Sequence, residues 1–285
     1  VVSKALITAA GYGTRLLPAT KNVPKELLPI IDTPTIKFIV DNCLEAGIKD
    51  IIIVTRFGNH AIEDFFDAAP ALEKYLTENG KIEEAEKLKK MYSSANYIFI
   101  RQDPTLPYGS ASPLYSARRL LQSEPFVYCW GDDIVIGKGV GVCESIDLFN
   151  KSDVDVTLFT THVIKDMVTK LGMVVFEKES NFVKSIVEKP SIDQVISQCC
   201  HVSNFVSTPE IFAYLNPKKI DTKEFIFQPA INQLCQKGRV NAVRTKGKWM
   251  TMGDPLNYVK TIIDMALYRE DLRGDIVEYI KSLNL

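Results

Sequence analysis

Gly11-Tyr12-Gly13 follows the apolar run Ala5-Leu6-Ile7-Thr8-Ala9, and three cations, Arg15, Lys21 and Lys25, come after it in a proline-containing segment. Two glycines let backbone N–H groups approach an anion, and Arg with Lys neutralises adjacent phosphates, so this spacing suits a polyphosphate cradle. It is not a dinucleotide fingerprint: Leu16 stands where G-x-G-x-x-G needs its third glycine, and Pro18 and Pro24 interrupt the following element. No G-x-x-x-x-G-K-[ST] segment is present, which disfavours a P-loop kinase or ATPase. A carboxylate pair, Asp132-Asp133, ends the apolar run Pro125 to Trp130, and Glu188-Lys189 ends the run from Val183. Taken alone, Glu188-Lys189 reads as an exposed ion pair of little energetic value. The three histidines, His60, His162 and His201, match no catalytic pattern and are assigned to surface or structural use.

The elements that must carry these residues are legible from periodicity. Ala5–Ala9 reads as a buried strand; Thr33-Pro34 marks a helix start, with Ile36, Ile39, Val40, Cys43 and Leu44 at helical spacing and Gly47 as the stop. Ile51-Ile52-Ile53-Val54 is then a β-branched run of the kind buried on both faces of a parallel sheet. A helix at Ala61–Phe66, a charged helical pair broken near Asn79-Gly80, a strand at Tyr97–Ile100, a helix at Leu114–Leu121 and a strand at Pro125–Trp130 continue the alternation. Ligands of open α/β sheets bind outside the carboxyl ends of the strands, so the Gly11 and Asp132 loops should share one rim. Past Val154 the strands crowd together (Val154–Thr160, Gly172–Phe176, Val183–Glu188, His201–Ser207, Val240–Arg244), which predicts a mixed region of the same sheet. Helices are expected from Pro209, over Phe225–Gln236, over Asp254–Leu272 and from Asp275 onward.

The chain has 285 residues, 46% hydrophobic and 24% charged, with 14 Pro and 15 Gly: the composition of a globular protein, not of a disordered or collagen-like one. Lys plus Arg number 34 against 35 Asp plus Glu, a net charge of −1, so no broad attraction to nucleic acid or anionic lipid is expected and phosphate must be held locally. Six Cys without a C-x-x-C pair offer no zinc spacing and read as reduced thiols of a cytoplasmic protein, with Cys199-Cys200 as small fillers beside a strand. The first residues are too short an apolar run for a signal peptide or a membrane span.

The segment AAGYGTRLLPATKNVPKELLPIIDTPTI resembles the opening signature of the bacterial-type UTP–glucose-1-phosphate uridylyltransferases, within the sugar-phosphate nucleotidyltransferase family. FIRQ (Phe99–Gln102), WGDD (Trp130–Asp133), VEKP (Val187–Pro190), TPEIF (Thr208–Phe212) and GDPLNY (Gly253–Tyr258) resemble further family segments in the same order, so the similarity spans most of the chain. The resemblance implies a Rossmann-like α/β nucleotidyltransferase fold with a central mixed, mainly parallel sheet flanked by helices. It implies one domain over 1–285, with a nucleotide-binding part at 1–150 and a sugar-phosphate-binding and C-terminal helical part at 151–285. The implied reaction joins UTP and glucose 1-phosphate with Mg²⁺, giving UDP-glucose and pyrophosphate, and leaves room for a homo-oligomer. The alternatives are a relative with another NTP or sugar 1-phosphate, and a catalytically impaired sugar-nucleotide-binding homologue.

Position by position, the resemblance implies that Ala10 and Gly11 meet the base through their backbone, that Gln102 reads the uracil edge, and that Gly109 leaves room beside it. Gly13 and Thr14 belong to the same nucleotide set. Arg15 and Lys25 would hold the triphosphate, Asp132 the Mg²⁺ and Lys189 the sugar phosphate, while Glu188 accepts sugar hydroxyls with Gly172 close to the ring. Asp133 is expected to position its loop. Three departures stand out: Pro107-Tyr108-Gly109-Ser110-Ala111 replaces the family's Gly-Leu-Gly-His-Ala, and Ile226-Phe227-Gln228-Pro229 replaces a polar Gln-Leu-Thr-Asp run. In the third, Thr251 stands two positions before Gly253, where the family has an acidic second metal ligand, and Asp254 is expected to cap the next helix.

Overall fold

In the computed structural model, which describes residues 1–220 and 224–283, the first apolar run is a central strand, β1 (Lys4–Ala9). β2 (Asp50–Thr55) and β3 (Asn96–Arg101) follow it in parallel on one side, and β4 (Phe126–Trp130) lies parallel on the other. The second half adds β5 (Val156–His162), β6 (Gly172–Phe176), β7 (Val183–Glu188), β8 (Cys199–Ser207) and β9 (Val240–Arg244). β8 runs antiparallel to β4 over Asn204–Ser207 and thereby joins both halves in one nine-stranded sheet. Its register shifts between His201 and Phe205, where Ser203 has a φ of 61°; before the shift, Cys200 and His201 pair with β6 instead of β4.

An apolar strand with no polar face needs cover on both sides. Leu6, Ile52 and Val54 point into one core, which Ala230, Ile231 and Leu234 of the helix Gln228–Gln236 close. Ala5, Ile7, Ile51 and Ile53 point into the other, under Ile36, Ile39, Val40 and Cys43 of the helix Thr35–Glu45. The expected helix–sheet–helix layering and mixed, mainly parallel sheet are therefore both present. The charged hairpin, Pro70–Glu78 and Ile82–Ser93, turns at Asn79-Gly80 as expected and buries only Ala85.

Several boundaries differ from the periodicity reading. The helix expected from Phe225 begins at Gln228, because Phe225 bonds by its backbone to Tyr108 and Ala111. The last two helices are Pro255–Tyr268 and Glu270–Ser282, so the predicted break near Asp275 falls inside a continuous helix; residues 284–285 lie outside the described residues. The segment after Pro209 is a short 3₁₀ turn, Pro209–Tyr214. Periodicity missed the helix Val142–Asn150 and a two-stranded ribbon of Asp133–Ile136 with Lys248–Thr251. A four-residue strand places only two side chains on each face, too few to register as alternation. The helix follows a glycine-dense stretch that reads as loop, and its start is held by Gly141 N–H donating to the Glu144 carboxylate at 3.1 Å, without the Ser or Thr that would announce a capping box.

Candidate active site

Because β1, β3 and β4 are parallel, their carboxyl ends share a rim, and the chain leaves them at Ala10-Gly11, Gln102 and Gly131-Asp132. Gln102 N–H donates to Thr55 O (2.8 Å), which pins its position beyond the sheet edge. Ala10, Gly11, Gln102 and Asp132 line a cavity of about 220 Å³ together with Lys25, Glu26 and Gly109. A second cavity of about 280 Å³ continues from it, with Arg15, Gly172, Glu188, Lys189 and Thr251 in its wall. Ser110, Trp130 and Asp132 line both, so the two form one cleft that Asp132 divides.

Ten of the sequence-predicted residues, Ala10, Gly11, Arg15, Lys25, Gln102, Gly109, Asp132, Gly172, Glu188 and Lys189, thus reach the cleft wall. Gly13 and Thr14 do not. Gly13 instead makes a left-handed turn (φ 64°) whose carbonyl accepts from Thr20 Oγ1 at 2.8 Å. Gly109 has a structural requirement of its own: at φ 147° a side chain there would run into the Phe225 carbonyl. Phe225 N–H donates to Tyr108 O (2.8 Å) and Ala111 N–H to Phe225 O (2.9 Å), so two of the three departures from the family pattern are joined in one backbone unit.

Lys25 Nζ and Asp132 Oδ2 are 2.5 Å apart, with side chains only 17% and 14% exposed. Burial alone would depress the Lys25 pKa, but the carboxylates of Asp132 and Glu26 outweigh it and hold the ammonium charged. Glu26 is buried beneath the loop, and a side chain at residue 131 would collide with both the Thr8 carbonyl and Glu26 Cγ. Burial pushes the Glu26 carboxyl up to about 7, only partly opposed by Lys25. The folded state keeps this proton until about pH 7, whereas an unfolded glutamate releases it near 4.5, so Glu26 makes wild-type stability fall across that window and stay level above it. Urea unfolding at pH 5 and pH 8 should show Glu26→Gln gaining on the wild type as pH rises, by about 2–3 kcal/mol. An equal gap at both pH values would mean that Glu26 is ionised throughout.

Asp133, also in the wall of the second cavity, accepts from Ser203 N–H at 3.0 Å, and burial together with the Asp132 charge pushes it up to about 6. Thr251 pairs with Asp133 in the ribbon, and a Cβ at residue 253 would lie within van der Waals reach of Asp132 Oδ2, Thr251 Oγ1 and the Arg15 guanidinium, so these three groups converge on the bare Gly253 backbone. Asp254 accepts from Asn257 N–H at 3.0 Å as the cap of its helix. His201, which the sequence left without a role, lines the cleft at 4.9 Å from the Trp130 ring. Burial drives it down to about 3, so it is a neutral wall, not an acid or base, near neutral pH.

On the far side, Glu188 Oε2 accepts from Gln228 Nε2 (2.9 Å), and Glu188 Oε1 lies 3.9 Å from Lys189 Nζ. Burial raises the Glu188 pKa, opposed by Lys189 and by the Gln228 bond. Lys189 itself has a φ of 45°, a conformation costing a non-glycine residue of order 1 kcal/mol, fixed by its N–H donating to Leu171 O at 2.9 Å. Among the described residues, four buried side-chain polar atoms lack a hydrogen-bond partner: Glu26 Oε2, Ser110 Oγ, Gln228 Oε1 and Trp249 Nε1. All four belong to residues that line the cleft. Each such atom costs about 1–3 kcal/mol, and their confinement to one cleft marks it as a surface made for a polar ligand. Trp249 carries no sequence signal for this; Ser110 and Gln228 are visible only within departures from family runs.

The nucleotidyl transferase family profile matches residues 4–266. A UTP–glucose-1-phosphate uridylyltransferase of Bacillus subtilis is 38% identical over 286 residues, covering 99% of this chain and 97% of the relative. A second, UTP–glucose-1-phosphate uridylyltransferase 2 of Staphylococcus saprophyticus, is 38% identical and covers 100% and 99%. Among solved structures, a UTP-bound UGPase of Acinetobacter baumannii superimposes with a TM-score of 0.89 at 27% identity, covering 99% of this chain and 100% of that one. A UDP-glucose pyrophosphorylase complexed with UDP-glucose gives 0.82 at 27% identity, over 94% and 100%. With a full-length match in sequence and in fold around a cleft built from the family's motif residues, the chain belongs to the nucleotidyl transferase family, alongside the bacterial-type UTP–glucose-1-phosphate uridylyltransferases.

Proposed function

We propose that this protein transfers a uridylyl group from UTP to glucose 1-phosphate, releasing pyrophosphate, and that residues 1–285 act as one domain with nucleotide-binding and sugar-phosphate-binding parts. The observation that carries the reading is the Lys25–Asp132 pair at the junction of the two cavities, with Lys189 in the wall of the second. An oxygen of the sugar phosphate attacks the α-phosphorus of UTP; a new P–O bond forms, the bond to the β-phosphate oxygen breaks, and pyrophosphate takes its electron pair. The nucleophile is already an anion, so no protein base is required, and the chain's work is alignment and charge neutralisation. Lys25 and Arg15 hold the triphosphate and Lys189 the incoming phosphate. Ala10, Gly11 and Gly109 shape the base pocket, while Glu188 and Gly172 face the sugar.

Asp132 suits a Mg²⁺ ion carried in on the substrate, since Mg²⁺ commonly takes one or two carboxylates and completes its shell with phosphate oxygens and water. Among the described residues no three His, Cys, Asp or Glu side chains converge, which fits such a phosphate-borne ion better than a cage supplied by the protein. Bound there, the ion would neutralise and align phosphate oxygens. No described helix is long and apolar enough to cross a membrane, and all six cysteines are free thiols, which fits a reducing, cytoplasmic setting.

Pyrophosphate release measured across four NTPs and several sugar 1-phosphates tests the assignment: UTP with glucose 1-phosphate should be the best pair, and a purine nucleotide as the best donor would reject it. The Gln102 amide carries both a donor and an acceptor, matching the O4/N3–H edge of uracil or thymine, so UTP and dTTP should outrank ATP and GTP. Gln102→Ala should reduce that preference by roughly 10- to 100-fold, and an unchanged ranking would remove Gln102 from base selection.

A further inference from the structure

Gln228 stands where the family run carries a smaller residue, and its geometry gives it a chemical direction. It is the first residue of the helix Gln228–Gln236, only 8% exposed, and it reaches across to the end of β7. Its Nε2 is committed to Glu188 Oε2 at 2.9 Å, which fixes the amide's orientation, because the opposite one would set two acceptor oxygens against each other. Oε1 is therefore an acceptor, and it is buried, partnerless and in a residue that lines the second cavity. Glu188 is pinned as well: a side chain at Gly172 would lie 3.1 Å from Oε2, so that oxygen is enclosed between the β6 backbone and the Gln228 amide. What remains for a ligand is an acceptor on Glu188, Oε1, and a second acceptor on Gln228, beside the Lys189 cation.

Two acceptors cannot hold a phosphate oxygen or a ring oxygen. They can hold O–H groups. We infer that Gln228 is a specificity-determining residue that accepts a hydrogen bond from one hydroxyl of the sugar 1-phosphate, acting beside Glu188, so that the site selects for a sugar with a free hydroxyl at that position. The inference rests on the sugar-nucleotide reading above and adds to it a residue and a rule of discrimination. A site with a buried acceptor penalises an analogue lacking the matching donor more than a merely apolar pocket would, because the acceptor is left unpaired. Trimming the acceptor removes that penalty for the analogue while weakening the natural ligand.

The test couples a deletion in the protein to deletions in the ligand. Binding of UDP-glucose and of its sugar-ring 2-, 3-, 4- and 6-deoxy derivatives is measured by calorimetry for the wild type, Gln228→Leu and Gln228→Ala, with UDP as the control for the nucleotide half. Pyrophosphate release from UTP and glucose 1-phosphate is followed in parallel. In the wild type, one deoxy derivative should bind roughly 10- to 100-fold more weakly than UDP-glucose. In Gln228→Leu that penalty should shrink to within about threefold with UDP binding unchanged, while the lost bond to Glu188 lowers Tm and relaxes the penalty of the hydroxyl that Glu188 holds, which Glu188→Ala identifies independently. A role confined to propping Glu188 would relax only the deoxy penalty that Glu188→Ala also relaxes, and that result would overturn the inference while leaving the reaction assignment intact. No pyrophosphate release by the wild type, with UDP-glucose still bound and the coupling present, would overturn the reaction assignment and leave the inference standing. UDP-glucose binding no more tightly than UDP, with pyrophosphate release intact, would overturn the inference and leave the reaction assignment standing.

Discussion

Lys189→Ala should lower kcat/KM for the sugar 1-phosphate by roughly 100- to 1,000-fold, the range for one charged or polar group aimed at developing transition-state charge. The side chain is 59% exposed, and among the described residues its ammonium pairs with Glu188 alone, at 3.9 Å, so the fold does not depend on it and Tm should hold. Lys25→Ala should cost as much turnover, but for this residue stability falls as well. Its ammonium lies 2.5 Å from Asp132 and 4.0 Å from Glu26, and removing one partner of a buried pair typically destabilises by about 3–5 kcal/mol. Initial rates of pyrophosphate release, together with thermal unfolding of both variants, separate the two contributions. Normal turnover by Lys189→Ala would take the residue out of the mechanism, and normal Tm for Lys25→Ala would mean that Asp132 and Glu26 find other partners.

Thr251→Asp should convert a one-carboxylate metal position into a two-carboxylate one. Wild type, with a neutral hydroxyl facing the Gly253 turn opposite Asp132, is expected to need more Mg²⁺ than a two-carboxylate site would. The variant should reach half-maximal activity at about tenfold lower Mg²⁺, or gain activity if the wild type shows none; tenfold corresponds to about 1.4 kcal/mol. A second readout needs no turnover. In chelator the added carboxylate joins Asp132 and Asp133, whose charge Lys25 and Arg15 only partly offset, so Tm should drop by roughly 2–5 °C, and Mg²⁺ should restore it because a ligand bound only to the folded state stabilises that state. Asp254→Ala should cost about 1 kcal/mol through the lost helix cap and leave the Mg²⁺ requirement alone. A Thr251→Asp variant whose Tm ignores Mg²⁺, paired with an Asp254→Ala variant whose Mg²⁺ requirement rises, would make Asp254 the ligand.

Much of this molecule is legible from its sequence because the informative signals are local. Ile51-Ile52-Ile53-Val54 has no polar face, so it had to be an interior strand, and parallel order then brought the loops after Ala9 and Trp130 to one rim. Long motifs such as VEKP singled out Glu188 and Lys189, which the fold sets in the cleft wall, and Asp254 before Pro255 announced its helix cap. Tertiary structure alone decided what depended on contacts between distant segments. The four-residue strands of the ribbon hold each other, and their pairing sets Thr251 beside Asp133. The Tyr108 loop and the Phe225 segment read as unrelated departures, yet they share two backbone hydrogen bonds that delay the helix start to Gln228. The buried states of Glu26 and His201, and the commitment of one end of the Gln228 amide to Glu188, follow from enclosure by several elements at once. Periodicity along one segment records which face that segment buries, and carries no record of which polar atom the other segments leave without a partner.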